Sequence, residues 1–323
     1  MHKNINNLPK KILSWYDNNK RTLPWRISQN SKKKHYYRIL SEFMLQQTQV
    51  KTVIPYFNNF VKKVPTLKAL SKSNELKVLK LWEGLGYYTR ARNLHKTSKI
   101  LVKKYKGQIP ENFEKLKELP GIGDYTANIL LALIHNQPRI ARDGNVKRVL
   151  SRIFNQDQTM SVNLFKTKRN SDLAEALIEF GALVCKSKNP TCEKCNIKNT
   201  CFYYSKGKKV KSKNNFKFHL KSYDIFCYLK KNKKQIALTK SNNLGFLKKF
   251  SLPKVKESSK KNKNWKFLCS YKNSISNKKL DINLYYKFSN KIPKNLYWHS
   301  IHNKKEFIPT FTKKIFKEVE NLY

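Results

Sequence analysis

Residues 119–127 read Leu-Pro-Gly-Ile-Gly-Asp-Tyr-Thr-Ala. Gly121 and Gly123, one residue apart, allow a tight hairpin, because a residue without a Cβ adopts backbone conformations closed to the others. The amides that follow, at the start of a helix, are placed to face a phosphate oxygen. A bare Gly-x-Gly is compatible with any turn between two helices. The flanking Leu-Pro and Tyr-Thr-Ala make the pattern far more specific.

Outward from this stretch, four further motifs stand in a fixed order. Upstream lie Ser41-Glu-Phe-Met-Leu-Gln-Gln-Thr-Gln49 and Gly84-Leu-Gly-Tyr-Tyr-Thr-Arg-Ala-Arg-Asn-Leu-His95; downstream come Asp143-Gly-Asn-Val-Lys-Arg-Val-Leu150 and Cys185-x6-Cys192-x2-Cys195-x5-Cys201. Four of the six cysteines fall within seventeen positions, and the chain shows no export-type apolar run, so a metal site is favoured over a disulfide framework. Four thiolates suit tetrahedral zinc or an iron–sulfur cluster, and ligand count alone leaves both open. Cys227 and Cys269, outside the run, read as small apolar residues. Seen alone, Asp143 ahead of an apolar-periodic run is a helix N-cap, and Glu42 is a solvated helix residue.

The chain has 323 residues, with 69 Lys and Arg against 20 Asp and Glu and a net charge of +49. Its length suggests two domains, since a single core rarely serves more than about 250 residues. With 39% hydrophobic and 12% aromatic residues it has the material for real cores, which excludes charge-driven disorder. No stretch approaches the roughly 20 uncharged apolar residues of a membrane span, and the basic start lacks a signal-type apolar run, so a soluble cytoplasmic protein is expected. The positive excess points to a polyanion, nucleic acid first and an anionic membrane surface second. Abundant lysine and asparagine with only 9 glycines fit compositional drift equally well.

A boundary shows in the basic residues themselves: all ten arginines precede residue 206, whereas residues 206–323 hold 31 lysines, no arginine and six acidic residues. Before it, apolar spacing of three to four predicts helices over Tyr36–Gln47, Val50–Val64, Glu75–Trp82, Tyr87–Tyr105 and Asp172–Val184. After it, residues 224–231, 235–240 and 280–288 read as short strands rich in aromatic and branched side chains, and residues 311–323 as a closing helix. The lysine-rich stretch 206–217 reads as a linker.

In this order the motifs strongly resemble MutY-type adenine DNA glycosylases, a branch of the endonuclease III or helix-hairpin-helix superfamily, over residues 8–205. The resemblance implies a mainly α protein: an all-α helix-hairpin-helix glycosylase domain (1–205) with a [4Fe-4S] loop at 185–201, then a smaller α+β domain (218–323). The cysteine spacing matches the family's cluster loop, with Cys185, Cys192, Cys195 and Cys201 as ligands. Where bifunctional relatives carry a Schiff-base lysine after the hairpin, this chain has Tyr125, which implies a monofunctional enzyme. Glu42 would be the general acid that protonates adenine N7, and Asp143 would stabilise the oxocarbenium-like sugar and guide water. The base must first leave the stack. Gln47 and Tyr87 would enter the duplex near the lesion, Tyr125 and Asn145 would lie close to the sugar and phosphate, and Gly121 and Gly123 would form the phosphate-binding hairpin. Trp25, Arg26, Leu45 and Glu175 would line the adenine pocket, although core packing competes for Trp25 and Leu45. The implied partner is duplex DNA carrying A opposite 8-oxoguanine or G, met by a monomer with no membrane involvement.

Residues 218–323 resemble more weakly the Nudix-like domain through which the family reads 8-oxoguanine. Its usual His-x-Phe-Ser-His is here Asn273-Ser-Ile-Ser-Asn277, which retains Ser276 as a lesion contact but replaces both histidines and the phenylalanine. No Glu-rich hydrolase helix is present, so recognition without pyrophosphatase activity is expected. Two other functions remain open at this point: an oxidised-pyrimidine or thymine-mismatch glycosylase of the same fold, and a non-catalytic DNA-binding module.

Overall fold

A computed structural model describes residues 7–27, 33–155, 166–207, 219–241, 244, 247, 250–258, 264–275, 278–303 and 306–323. The chain divides into two compact units, one of Met1–Val78 and Thr89–Lys213, the other of Leu79–Tyr88 and Asn214–Tyr323. Leu79–Tyr88 thus clusters with the C-terminal unit, although the sequence reading runs the first domain unbroken to 205. Among the described residues no helix is long and apolar enough to cross a membrane.

The first unit is helical. In chain order it contains α1 (Leu8–Asn19), α2 (Lys34–Leu45), α3 (Val50–Lys63), α4 (Leu67–Lys72), most of α5 (Glu75–Leu81), α6 (Thr89–Tyr105), α7 (Phe113–Lys117), α8 (Asp124–His135), α9 (Gly144–Phe154), α10 (Asn170–Leu183) and the short α11 (Phe202–Ser205). Helix α8 is its centre: Thr126, Ala127 and Ile129–Ile134 are all buried, so it is apolar around its whole circumference. Asn136 ends α8 in the left-handed region at φ 51°, and its side chain accepts from the Ser171 amide and donates to the Lys168 carbonyl, which ties α8 to α10. A second core joins α1, α9 and α10 through Ile12, Tyr16, Val149, Ile153, Leu177 and Phe180, and reaches Ile197 in the cysteine loop.

Two helices fall short of the spacing-based reading. Helix α2 stops at Leu45, and Gln47 beyond it takes φ 57°; α6 starts only at Thr89, after Tyr87 at φ 48°. Hydrophobic spacing reports which face is buried and carries no information on a single left-handed residue at a helix end.

Among its described residues the second unit is built on a mixed sheet with helix α12 (Thr310–Glu320). Its strands are β1 (His219–Lys230), β2 (Gln235–Leu238), β3 (Lys254–Glu257), β4 (Lys266–Ile275), β5 (Lys278–Phe288) and β6 (Tyr297–Ser300), in the order β4-β5-β1-β2-β6 with β3 also on β1. The β1 and β5 strands run parallel from His219 opposite Lys278 to Leu229 opposite Phe288, and the other pairs are antiparallel. Strands β3, β4 and β6 were not among the expected ones: Lys254–Glu257 is too polar to stand out, and lysines and asparagines break the alternation in β4. Helix α12 (Thr310–Glu320) turns Phe311, Ile315, Phe316 and Val319 inward, the amphipathic spacing visible in its sequence.

Candidate active site

Helix α2 carries Glu42 between Ile39, Leu40, Phe43 and Met44, all four fully buried, so its carboxyl is drawn out of water by its neighbours in sequence. It opens on a cavity of about 620 Å³ in the first unit, whose wall includes Trp25, Arg26, Leu45, Gln47, Tyr125, Asp143, Asn145 and Glu175. These motif residues, spread over more than 150 positions of sequence, therefore converge on one cavity. Gly121 and Gly123 lie in the turn before α8 and not in its wall. Tyr87 belongs to the second unit, and Ser276 lies outside the described residues.

Of the three buried glutamates of this cavity, Glu42 and Glu175 are treated in opposite ways. Glu42 is only 8% exposed and no hydrogen bond to its carboxyl is present among the described residues. Burial, reinforced by the negative Glu175 and Asp143 and opposed by Arg38 and Arg26, pushes its carboxyl up to about 8. At neutral pH it is an acid holding its proton.

Glu175, on α10, is equally buried, yet it accepts from Arg38 Nη1 at 2.5 Å, Arg26 Nε at 3.0 Å and the Tyr16 hydroxyl at 2.7 Å. Burial works against its charge, but the two guanidiniums and the Tyr16 hydroxyl outweigh it and hold the carboxyl below the usual range. One turn on, Glu179 accepts from Arg21 and Arg26 and is likewise held ionised against the effect of burial. Neither Arg21, Arg38, Tyr16 nor Glu179 stood out in the sequence, because each is one member of a buried ion network whose partners are more than a hundred residues away in the chain. The two arginines nearest Glu42 are thus already engaged.

Asp143 is the N-cap of α9: its Oδ1 accepts from the Val146 amide at 2.7 Å and its Oδ2 from Asn145 Nδ2 at 3.3 Å. The capping role and the place in the cavity wall coincide. Tyr125, close behind the hairpin, has its phenol shifted up by burial and by the charges of Glu42 and Asp143, so it stays neutral. Trp25 is both wall and core, edge-on to Phe57 at 5.3 Å between centroids.

The hairpin between α7 and α8 is built as the glycines require. Gly121 sits at φ 83°, and a Cβ there would meet Asn93 Cβ and Phe43 Cε1 at 2.8 Å, so backbone and space both demand glycine. Gly123 is the N-cap of α8 and is open to solvent. Gln46 donates to the Gly121 carbonyl at 3.2 Å, and Arg90 donates to the Phe43, Met44 and Gln46 carbonyls, closing the C-terminus of α2 and fixing the Glu42 helix against the hairpin.

The four cysteines surround a small apolar pocket with Val149, Ile153, Phe180 and Ile197. All are free thiols, and among the described residues no three His, Cys, Asp or Glu side chains are grouped to hold a single metal ion. Arg152 of α9 donates to Cys185 Sγ at 3.4 Å and to the Lys186 carbonyl at 2.7 Å, while Arg148 donates to the Cys185 and Gly181 carbonyls and to Asn145 Oδ1. Helix α9 thus carries Asp143 at its start and grips the cysteine loop further along.

Comparison with known proteins bears directly on this geometry. Residues 40–175 match the HhH-GPD superfamily of base excision DNA repair proteins. An adenine DNA glycosylase of Buchnera aphidicola subsp. Baizongia pistaciae is 36% identical over 339 residues, covering 96% of this chain and 95% of that one. This chain belongs to the adenine DNA glycosylase family. Among solved structures, a thermostable thymine-DNA glycosylase is similar with a TM-score of 0.57 at 24% identity, over 63% of this chain and 98% of that one. A non-covalent endonuclease III–DNA complex is similar with a TM-score of 0.53 at 21% identity, over 65% of this chain and 99% of that one. At such identities the likeness is one of fold.

Proposed function

We propose that this chain is a monofunctional base-excision enzyme that removes adenine mispaired with 8-oxoguanine or G in duplex DNA. The observation that carries the reading is the meeting, in one cavity, of the buried Glu42 carboxyl with Asp143, the N-cap of α9, beside a tyrosine where a Schiff-base lysine would stand. Adenine leaves deoxyribose slowly because its anion is a poor leaving group; a proton delivered to N7 from Glu42 makes it neutral. The sugar then carries positive charge, which Asp143 offsets while directing water to it. The buried Glu42 carboxyl cannot reach a base still in the stack, so the adenine must be extruded, and Gln47 and Tyr87 are the side chains proposed to occupy the duplex in its place. Both sit in the left-handed region, which costs roughly 1 kcal/mol for a residue with a side chain and is the kind of strain kept at working positions. The hairpin amides at Gly123 and beyond would hold a backbone phosphate.

The cysteine loop suits a [4Fe-4S] cluster ligated by Cys185, Cys192, Cys195 and Cys201. All four donors are soft thiols, the pocket is apolar, and the arginine at Cys185 offsets negative charge. Bound there, the group would cross-link the loop to α9 and α10. The sheet unit is read as the Nudix-like lesion-recognition domain, with Ser276 as its retained contact.

Excision measured side by side on A:8-oxoguanine, A:G and oxidised-pyrimidine duplexes tests the reading. Release of adenine from the first two and of nothing from the third is expected; base release from the pyrimidine duplex alone would replace the reading with its runner-up. Iron analysis with visible absorbance tests the cluster, and stoichiometric zinc without iron would refute it.

A further inference from the structure

Leu79–Tyr88 is flanked on both sides by chain of the helical unit, yet it is part of the sheet unit. The contacts that hold it there centre on Tyr88. The Tyr88 ring packs edge-on against Phe307 at 4.9 Å and tilts over Phe250 at 5.3 Å, and its hydroxyl lies 3.1 Å from Thr310 Oγ1 and accepts from the Thr310 amide at 3.4 Å. Because Thr310 opens α12, the tyrosine oxygen meets one of the amides a helix leaves without an internal partner. Further along the loop, Glu83 pairs with Lys313 on the first turn of α12, and Trp82, fully buried, donates through Nε1 to the Gly86 carbonyl at 3.1 Å.

Between Gly86 and Tyr88 stands Tyr87, at φ 48°. A strained residue keeps its conformation only when its surroundings fix it. Here both of its neighbours are fixed: Gly86 through its carbonyl, and Tyr88, only 4% exposed, through an aromatic bed and a helix amide.

We propose that Tyr88 is a positioning residue for Tyr87: the bed of Phe250, Phe307 and Thr310 locks the loop so that Tyr87 is presented ready-made to the duplex. The sheet unit then contributes to base extrusion through this loop, in addition to any lesion contact of its own. The inference rests on the proposed entry of Tyr87 into the duplex, and the test separates the two.

The readout is fluorescence of 2-aminopurine placed beside an A:G mispair, which reports unstacking without requiring chemistry, measured with the full chain carrying Glu42→Gln. Single-turnover excision by the otherwise unsubstituted enzyme runs in parallel. Tyr88→Ala is expected to lower both the fluorescence rise and the excision rate about tenfold, as small misplacements of a positioned group do, while duplex Kd moves by less than about threefold because phosphate contacts carry affinity. Tyr88→Phe, which keeps the ring packing, should recover most of the loss. Phe307→Leu reaches the bed from the other end of the chain and should act in the same direction, which serves if Tyr88→Ala does not fold.

The Tyr87→Ala variant divides the outcomes. If it leaves the fluorescence rise intact, Tyr87 does not enter the duplex and the underlying reading fails. If it abolishes the rise while Tyr88→Ala and Phe307→Leu do not, the positioning role alone is overturned. In the double variant Tyr87→Ala with Phe307→Leu, the effects should not add if the bed acts through Tyr87; full additivity would reduce Phe307 to a plain packing residue and sink the proposal.

Discussion

The two sides of the cavity solve the same problem in opposite ways. On α10, Glu175 is buried but surrounded by Arg26, Arg38 and Tyr16, and it keeps its charge; on α2, Glu42 is buried to the same degree among aliphatic and aromatic residues, and it keeps its proton. The difference is one of supply. Arg26 and Arg38 direct their ion pairs to Glu175 and Glu179, and among the described residues neither makes a hydrogen bond to Glu42, while the charge of Glu175 itself helps to hold Glu42 neutral. A structural ion network thereby bears on the protonation state of the proposed general acid. The network is also why α10, whose residues at first sight only pack, matters to chemistry on another helix.

The comparison breaks most visibly at Glu42 itself. Glu42→Gln keeps the size and burial of the side chain but has no proton to give, so the excision rate should fall by about a thousandfold or more, the upper part of what a positioned general acid supplies. Duplex affinity should stay within about threefold of the parent, because backbone contacts hold the DNA. Normal turnover by this variant, measured at saturating enzyme, would remove Glu42 from the mechanism.

At Glu175 the expected effect is smaller and has a direction. Glu175→Gln leaves Arg38 buried with a neutral partner and Arg26 with Glu179 alone, a loss on the order of 3 kcal/mol in stability, since breaking one side of a buried ion pair strands the other. It also removes a negative charge that raises the Glu42 carboxyl and frees Arg38 to lower it. The alkaline limb of the excision profile, expected near the Glu42 value of about 8 in the parent, should therefore move to lower pH. A limb that stays in place while stability drops would confine Glu175 to a packing role.

Much of this arrangement was legible beforehand, and the remainder was hidden for identifiable reasons. Motif order gave Glu42, Tyr125 and Asp143, and hydrophobic spacing placed α3, α6 and α10 to within two residues at either end, because a buried helix face repeats along the chain. Spacing ran α2 through Gln47 and α6 back to Tyr87, because a left-handed backbone leaves no periodic trace. Arg21, Arg38 and Glu179 were invisible, since a charge that pairs across 140 or so residues looks the same as a solvated one. The attachment of Leu79–Tyr88 to the sheet unit was hidden for a related reason: Tyr88 sits in a motif that reads as helical-domain sequence, and its partners Phe250, Phe307 and Thr310 lie far downstream. Lysine saturation also concealed β3 and β4, whose polar residues mask the alternation on which strands are read.

The smallest expected effect concerns stability, and it tests the cause of the Glu42 shift apart from catalysis. The carboxyl is raised from 4.5 to about 8 on folding, so between those values the folded chain holds a proton that the unfolded chain has lost. Stability then declines as pH rises through that window and levels off above it, once Glu42 is charged in both states. Glutamine at this position cannot ionise and carries no such penalty. Glu42→Gln should melt close to the parent near pH 4.5 and gain on it steadily, reaching a lead of at least roughly 4 °C above pH 8, the linkage over this window having an upper limit of about 5 kcal/mol. Thermal melts of the two proteins across that range decide the matter. Parallel curves would mean that Glu42 is solvated or paired at every pH, and the contrast between the two sides of the cavity would rest on Glu175 alone. A lead that grows towards low pH would have the opposite sign and would assign Glu42 a partner that holds it ionised.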